Sequence, residues 1–144
     1  MMTLDNLVSI GRLQRTPIDR EFITRLTVAA RRSLAEVETS GIGPDTRFDL
    51  AYKCIHRIAM ASLAAKGFRT SQNQPGHHQT AIQCLGWSMG VPKETLITLD
   101  ALRKQRNLSD YSGDPITADV ASTCITEAEA LLDMAGQRLA VDSL

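Results

Sequence analysis

The sequence predicts an all-α domain, an antiparallel up-and-down bundle of four long helices plus one short helix. Three observations carry that expectation. Apolar residues recur at steps of three and four between Gly- and Pro-rich breaks, no run alternates with period two for long enough to make a strand, and only 4% of the residues are aromatic against 43% hydrophobic. With 144 residues the chain is the size of one domain.

Residues 1–15 read as an N-terminal arm or short helix, with Leu4 to Leu13 helical before the basic junction at Arg15. Residues 16–144 form the single bundle domain. Thr16-Pro17-Ile18-Asp19 reads as a helix start, with Thr16 as N-cap, Pro17 in the first turn and Asp19 closing a capping box. Phe22, Leu26, Ala30, Leu34 and Val37 then mark an inward stripe that Gly41-Ile42-Gly43-Pro44 ends. Asp45 or Thr46 opens a second long helix, whose stripe is Phe48, Ala51, Ile55, Ala59, Ser62 and Leu63 and whose C-cap is Gly67. Residues 69–76 are a polar loop. A shorter helix from His77 to Met89, anchored in the core by Trp87 and Met89, stops at Gly90-Val91-Pro92. The next long helix runs from Lys93 to about Asp110, and after a turn at Ser112-Gly113-Asp114-Pro115 the last spans Thr117 to Ala140. Its inward face holds Val120, Cys124, Ala128, Leu131, Leu132 and Ala135.

Charge narrows the function classes. The formal net charge is zero, so no global field calls for DNA or a membrane. The distribution is uneven: residues 1–72 carry 11 Lys or Arg against 7 acids, and residues 73–144 carry 5 against 9. Halves of opposite sign favour antiparallel packing within or between chains. Cys54, Cys84 and Cys124 sit among apolar neighbours and read as reduced core residues. No signal peptide or bilayer-spanning run is present, and a cytoplasmic protein is expected.

Two polar seams interrupt the apolar pattern. In the helix that starts at Lys93, the stripe of Leu96 and Leu99 continues onto Arg103, Arg106, Asn107 and Asp110, all on one side of the helix within an arc of roughly 100°. Two guanidiniums, an amide and a carboxylate on a core-facing stripe are costly unless they are paired or bind something. Either they end the helix in solvent, with Asp110 pairing Arg106, or they form a phosphate-binding cluster in which Arg supplies bidentate contacts. On the second long helix, Asp49, Tyr52 and His56 share one edge. Tyr52 and His56 either satisfy hydrogen bonds at the margin of the core, or His56 serves as a general base. His77 and His78 diverge by about 100° on a helix and have no Asp, Glu or Cys at i+3 or i+4, so no metal is expected. Neither a phosphate-binding Gly loop nor a nucleophile elbow is present, and no cofactor is expected.

The string Arg103-Lys104-Gln105-Arg106-Asn107-Leu108-Ser109-Asp110-Tyr111 resembles the R-N-x-x-x-H motif of HEPN-domain proteins. The setting is similar too: Arg47-Phe48-Asp49-Leu50-Ala51-Tyr52 heads a long helix, Gly67-Phe68-Arg69 leaves it, and Gly76-His77-His78 precedes a short one. The resemblance covers about residues 17–140. It implies a homodimer whose two motifs meet in an intersubunit cleft, and a toxin, antitoxin or defence role. In the family's active members, metal-independent RNases, a His moves the 2′-hydroxyl proton and an Arg steadies the phosphate. Arg106 takes the Arg position and Asn107 the polar position after it, but Tyr111 stands where the RNases have His. A phenol with a pKa near ~10 is a poor base at neutral pH. Some members instead present a tyrosine near this motif for nucleotidylation by a partner, a role the resemblance also leaves open to Tyr111.

The resulting expectation is a homodimer that binds RNA or a nucleotide, with weak or lost RNase activity. Arg106, Tyr111 and His56 are the candidate catalytic residues, and Arg103, Asn107, Asp110, Tyr52 and His77 the candidate binding residues. Two further readings stay open. One is a non-catalytic interaction component that docks a cognate toxin or antitoxin; the other is an active RNase in which His56, His77 or Asp110 substitutes as the base.

Overall fold

The computed structural model describes residues 3–71 and 76–139. It is mostly helical, in the order α1 (Leu4–Ser9), β1 (Leu13–Arg15), α2 (Arg20–Ala35), a 3₁₀ turn (Glu36–Glu38), α3 (Pro44–Ala65), β2 (Phe68–Thr70), α4 (His77–Gln83), α5 (Leu85–Ser88), α6 (Lys93–Ser112) and α7 (Ala118–Arg138). Residues 72–75 of the expected polar loop, and Ala140 at the expected end of the last helix, lie outside the described residues.

The helix α3 is the central element. It packs against α2 on one side and α7 on another, with α4, α5 and β2 closing around its second half. Ala51, Cys54, Ile55, Ile58, Ala59, Ala61, Ser62 and Leu63 are all fully enclosed, so most of its circumference is covered. The alanines allow the neighbouring helices to approach closely. Helix α7 answers with Ala121, Cys124, Ala128, Leu131 and Ala135, buried at alternating steps of three and four. Thr117 caps it by accepting from the Val120 N–H at 3.2 Å.

Several expectations need correction. The chain does form strands: β1 and β2 pair antiparallel, with Leu13 opposite Thr70, Gln14 opposite Arg69 and Arg15 opposite Phe68. Three residues each are too few to show a period of two. Thr16 extends this ladder by donating its N–H to Gly67 O and lies four residues before the first residue of α2, so it is not the cap. Asp19 takes that role, accepting from the Phe22 N–H at 3.2 Å. The buried residues of α2 are Ile23, Thr27, Ala30 and Ser33, so only Ala30 of the expected stripe within this helix is fully enclosed; Leu26 and Leu34 are partly buried and Phe22 is exposed. Pro44 itself is the first residue of α3, after an uncapped Gly43.

The short third helix is broken in two at Cys84, where the N–H groups of Trp87 and Ser88 both converge on the Cys84 carbonyl. Met89 is buried, but Trp87 is 42% exposed, because the single turn of α5 turns Leu85 and Ser88 inward instead. The N-terminal segment packs onto the rest: Leu7 and Leu13 belong to the common core. Asp45 accepts from the Ile116 N–H, tying the start of α3 to the connection between α6 and α7.

Candidate functional site

Helices α3 and α6 are joined chiefly through α4 on one side and α7 on the other. The space left between them is a cleft of about 340 Å³, lined by Asp49, Tyr52, Lys53, His56 and Arg57 from α3, His78 from α4, and Arg106 and Asp110 from α6. The two polar seams of the sequence thus meet across one opening.

Aromatic rings form its floor. Phe48 and Tyr52 stack with centroids 6.1 Å apart, Tyr52 and His78 at 6.3 Å, and His78 and His56 at 3.8 Å, with interplanar angles of 18°, 9° and 9°. His77 meets His78 edge-on at 4.7 Å. The Arg106 guanidinium lies over the Tyr52 ring, 4.9 Å from its centroid. One turn further along α3, Arg57 is held by donating to Ala29 O at 3.2 Å and to Ser33 Oγ on α2.

The electrostatics follow from this packing. Burial pushes the His56 imidazole down to about 3, and the neighbouring His78, His77, Arg106 and Arg57 add to the effect. His78 is lowered by burial, then by His77 and Arg106. Both stacked rings are neutral at physiological pH. Burial raises Tyr52 to about 12, against the opposing pull of Arg106 and Arg103, so its hydroxyl keeps its proton. Burial also raises Asp49, with Arg106 opposing and Asp110 reinforcing the rise.

Hydrogen bonding in the cleft is incomplete. Tyr52, only 3% exposed, has a buried Oη, and His78 a buried Nδ1, with no hydrogen-bond partner among the described residues. Satisfying hydrogen bonds at the core margin is therefore not what Tyr52 does. Among the described residues no ion pair joins Arg106 to Asp110 or Asp49, so the solvent pairing open to Arg106 and Asp110 does not form. Arg103 differs: its Nε donates to Asp100 at 2.9 Å, Lys104 approaches the same carboxylate at 3.4 Å, and these partners hold the Asp100 carboxyl below its ordinary value despite burial.

The structure brings together Tyr52, His56, Arg106 and Asp110 of the sequence candidates. Arg103 stands beside them with its charge engaged by Asp100. His77 reaches the site only through its contact with His78. Asn107 is exposed, and Tyr111 is 93% exposed, because these positions lie about 100° and 140° around α6 from Arg106. Within one chain, then, the residue at the motif's His position does not enter the cleft. His78, Lys53 and Arg57 were missed as site residues. Lys53 and Arg57 lie at helical spacing beside Asp49, Tyr52 and His56, which is a readable signal; His78 is placed by the docking of α4, which is not.

The donor set suits an acceptor-rich ligand more than a metal. Two imidazoles stacked face to face point their nitrogen lone pairs outward in parallel planes, and among the described residues no group of three or more His, Cys, Asp or Glu is placed to hold a metal ion. No helix among the described residues is long and apolar enough to cross a membrane. No family model, curated protein or solved structure matches this chain.

Proposed function

We propose that the protein binds RNA or a nucleotide, with Arg106 taking a phosphate group. The observation that carries this reading is the guanidinium itself: it lies over the Tyr52 ring, pairs with no carboxylate among the described residues, and lines a cleft beside an unpartnered phenol. A guanidinium stiffened by an aromatic face and left with open N–H groups is matched to the bidentate geometry of a phosphate. Lys53 adds a second positive charge at the wall. The resemblance of residues 103–111 to the HEPN motif supports an antiparallel bundle of the four long helices, a homodimeric cytoplasmic protein and a toxin–antitoxin or defence role.

RNase activity is weak or lost in this reading. His56 is neutral, but a base whose conjugate acid has a pKa of about 3 gains little driving force for taking a proton from a hydroxyl. The interaction-component alternative is favoured by Ile97, Leu108 and Tyr111, exposed by 62%, 54% and 93% on one face of α6. That face would also serve a second copy of the chain.

The deciding experiment is RNA and nucleotide binding by wild type and Arg106→Ala across a salt series. Arg106→Ala should bind about 10-fold or more weakly, with a shallower salt dependence and an unchanged melting temperature. Equal binding by the two proteins, or no binding by wild type at low salt, leaves the interaction reading in its place.

A further inference from the structure

The cleft holds more acceptors than a simple anion site should. Asp49 and Asp110 line it together with Arg106 and Lys53, yet the carboxylates form no ion pair with Arg106 among the described residues. The two acids line the same cleft, and the Asp110 charge adds to the burial that raises Asp49. An acceptor-only ion such as sulfate would meet Arg106 well and be repelled by this pair. A ligand matched to the whole site must bring negative charge for Arg106 and hydrogen-bond donors for the two carboxylates.

Other groups in the cleft point the same way. Tyr52 is more than nine-tenths buried, lines the cleft and has an unpartnered hydroxyl, so the floor has a donor waiting for an acceptor. His78 Nδ1 is similarly unpartnered. Arg57 is less available because its guanidinium already reaches Ala29 and Ser33. Arg106 and Asp110 are one helical turn apart, about 5–6 Å between their Cβ atoms, a span comparable to that from a phosphate across a ribose to its hydroxyls. At about 340 Å³ the cleft admits one sugar-phosphate unit and no duplex.

We propose that Asp49 and Asp110 make the cleft selective for a phosphate carried next to a ribose cis-diol: Arg106 holds the phosphate, and the two carboxylates accept from the vicinal hydroxyls. This rests on the phosphate reading above and narrows it from RNA or nucleotides in general to ribonucleotide units with both hydroxyls free. Free 5′-mononucleotides and the 3′ ends of RNA share that chemistry. Internal RNA residues and deoxynucleotides lack it.

The test is calorimetric titration of the full chain with adenosine 5′-monophosphate, its 2′,3′-dideoxy counterpart and inorganic phosphate. Short oligoribonucleotides ending in a 3′-hydroxyl or a 3′-phosphate separate the two sources of the diol. Hydrogen bonds to charged acceptors predict that the ribonucleotide binds about 10-fold or more tightly than the dideoxy compound. Asp110→Asn should shrink that ratio towards one and at the same time strengthen inorganic phosphate binding, since it removes a repelling charge. A role confined to folding would not move the two ligands in opposite directions. Asp49→Asn repeats the test from the other helix, and melting curves establish that each variant is folded. Equal affinity for ribo- and dideoxynucleotide, with both binding, overturns the diol assignment and leaves the phosphate reading intact. Failure of every phosphate compound to bind overturns both.

Discussion

Replacing His56 by Phe should flatten the dependence of stability on acid. In the folded chain the imidazole titrates at about 3 instead of its ordinary 6.5, because it is buried against His78. Between those values the unfolded chain binds a proton that the folded chain refuses. Stability is therefore full above pH 6.5 and is lost as pH falls towards 3. Going from pH 7 to pH 5, one group with these two values costs about 2 kcal/mol. In urea titrations this lowers the midpoint by about 1 M for a slope of ~2 kcal/mol/M. His78 is lowered in the same direction and steepens the wild-type dependence further. His56→Phe keeps a flat ring in the stack and removes the titrating nitrogen, so its midpoint should fall by about 1 M less than that of wild type. The window stops at pH 5 because Asp49, whose pKa is raised in the fold, contributes with opposite sign at lower pH. Identical losses in the two proteins between pH 7 and pH 5 would refute the placement of His56 in a desolvated stack.

Two other expectations concern the frame around the cleft. Asp45→Ala removes the acceptor of the Ile116 N–H and should cost about 1.5–3 kcal/mol in chemical denaturation, with binding at the cleft retained. Burial raises the thiols of Cys54 and Cys124 to about 12 and that of Cys84 to about 11, so a thiol reagent at pH 8 should label none of the three in the folded protein and all of them in urea. Rapid labelling of native protein would show that α3 and α7 are not packed as described.

The long helices were legible because their signals are local. Gly41 to Pro44, Gly67 and Ser112 to Pro115 punctuate the chain; the α3 stripe buries as its spacing predicts, and in α7 Cys124, Ala128, Leu131 and Ala135 do so while Val120 and Leu132 are half-buried. The strands were not, since Leu13 to Arg15 and Phe68 to Thr70 exist only by pairing with each other across more than 50 residues. The same pairing holds Thr16 beside Gly67, and the cap of α2 falls to Asp19. The site was half legible for the same reason. Arg106 and Asp110 share a helix face, as do Tyr52 and His56, and spacing alone reveals both pairs. That the two faces confront each other, and that His78 inserts its ring against His56, depends on how α4 and α6 dock. Tyr111 follows Arg106 in sequence at the motif distance, but helical geometry turns it away from its own cleft.

The ladder of near-parallel rings from Phe48 to His56 also gives the protein a built-in magnetic reporter. The chain has only three histidines, and they meet at this one place. Ring protons of His56 and His78 lie over each other's faces and are shielded by the neighbouring ring current, while His77 meets its neighbour edge-on. Three separated imidazole Hε1 signals should appear in an ordinary proton spectrum, with no isotope label and no assignment of the remaining residues. Anything that enters the cleft must disturb the stack or the Arg106 charge beside it, so those three lines alone would register occupancy and ring displacement.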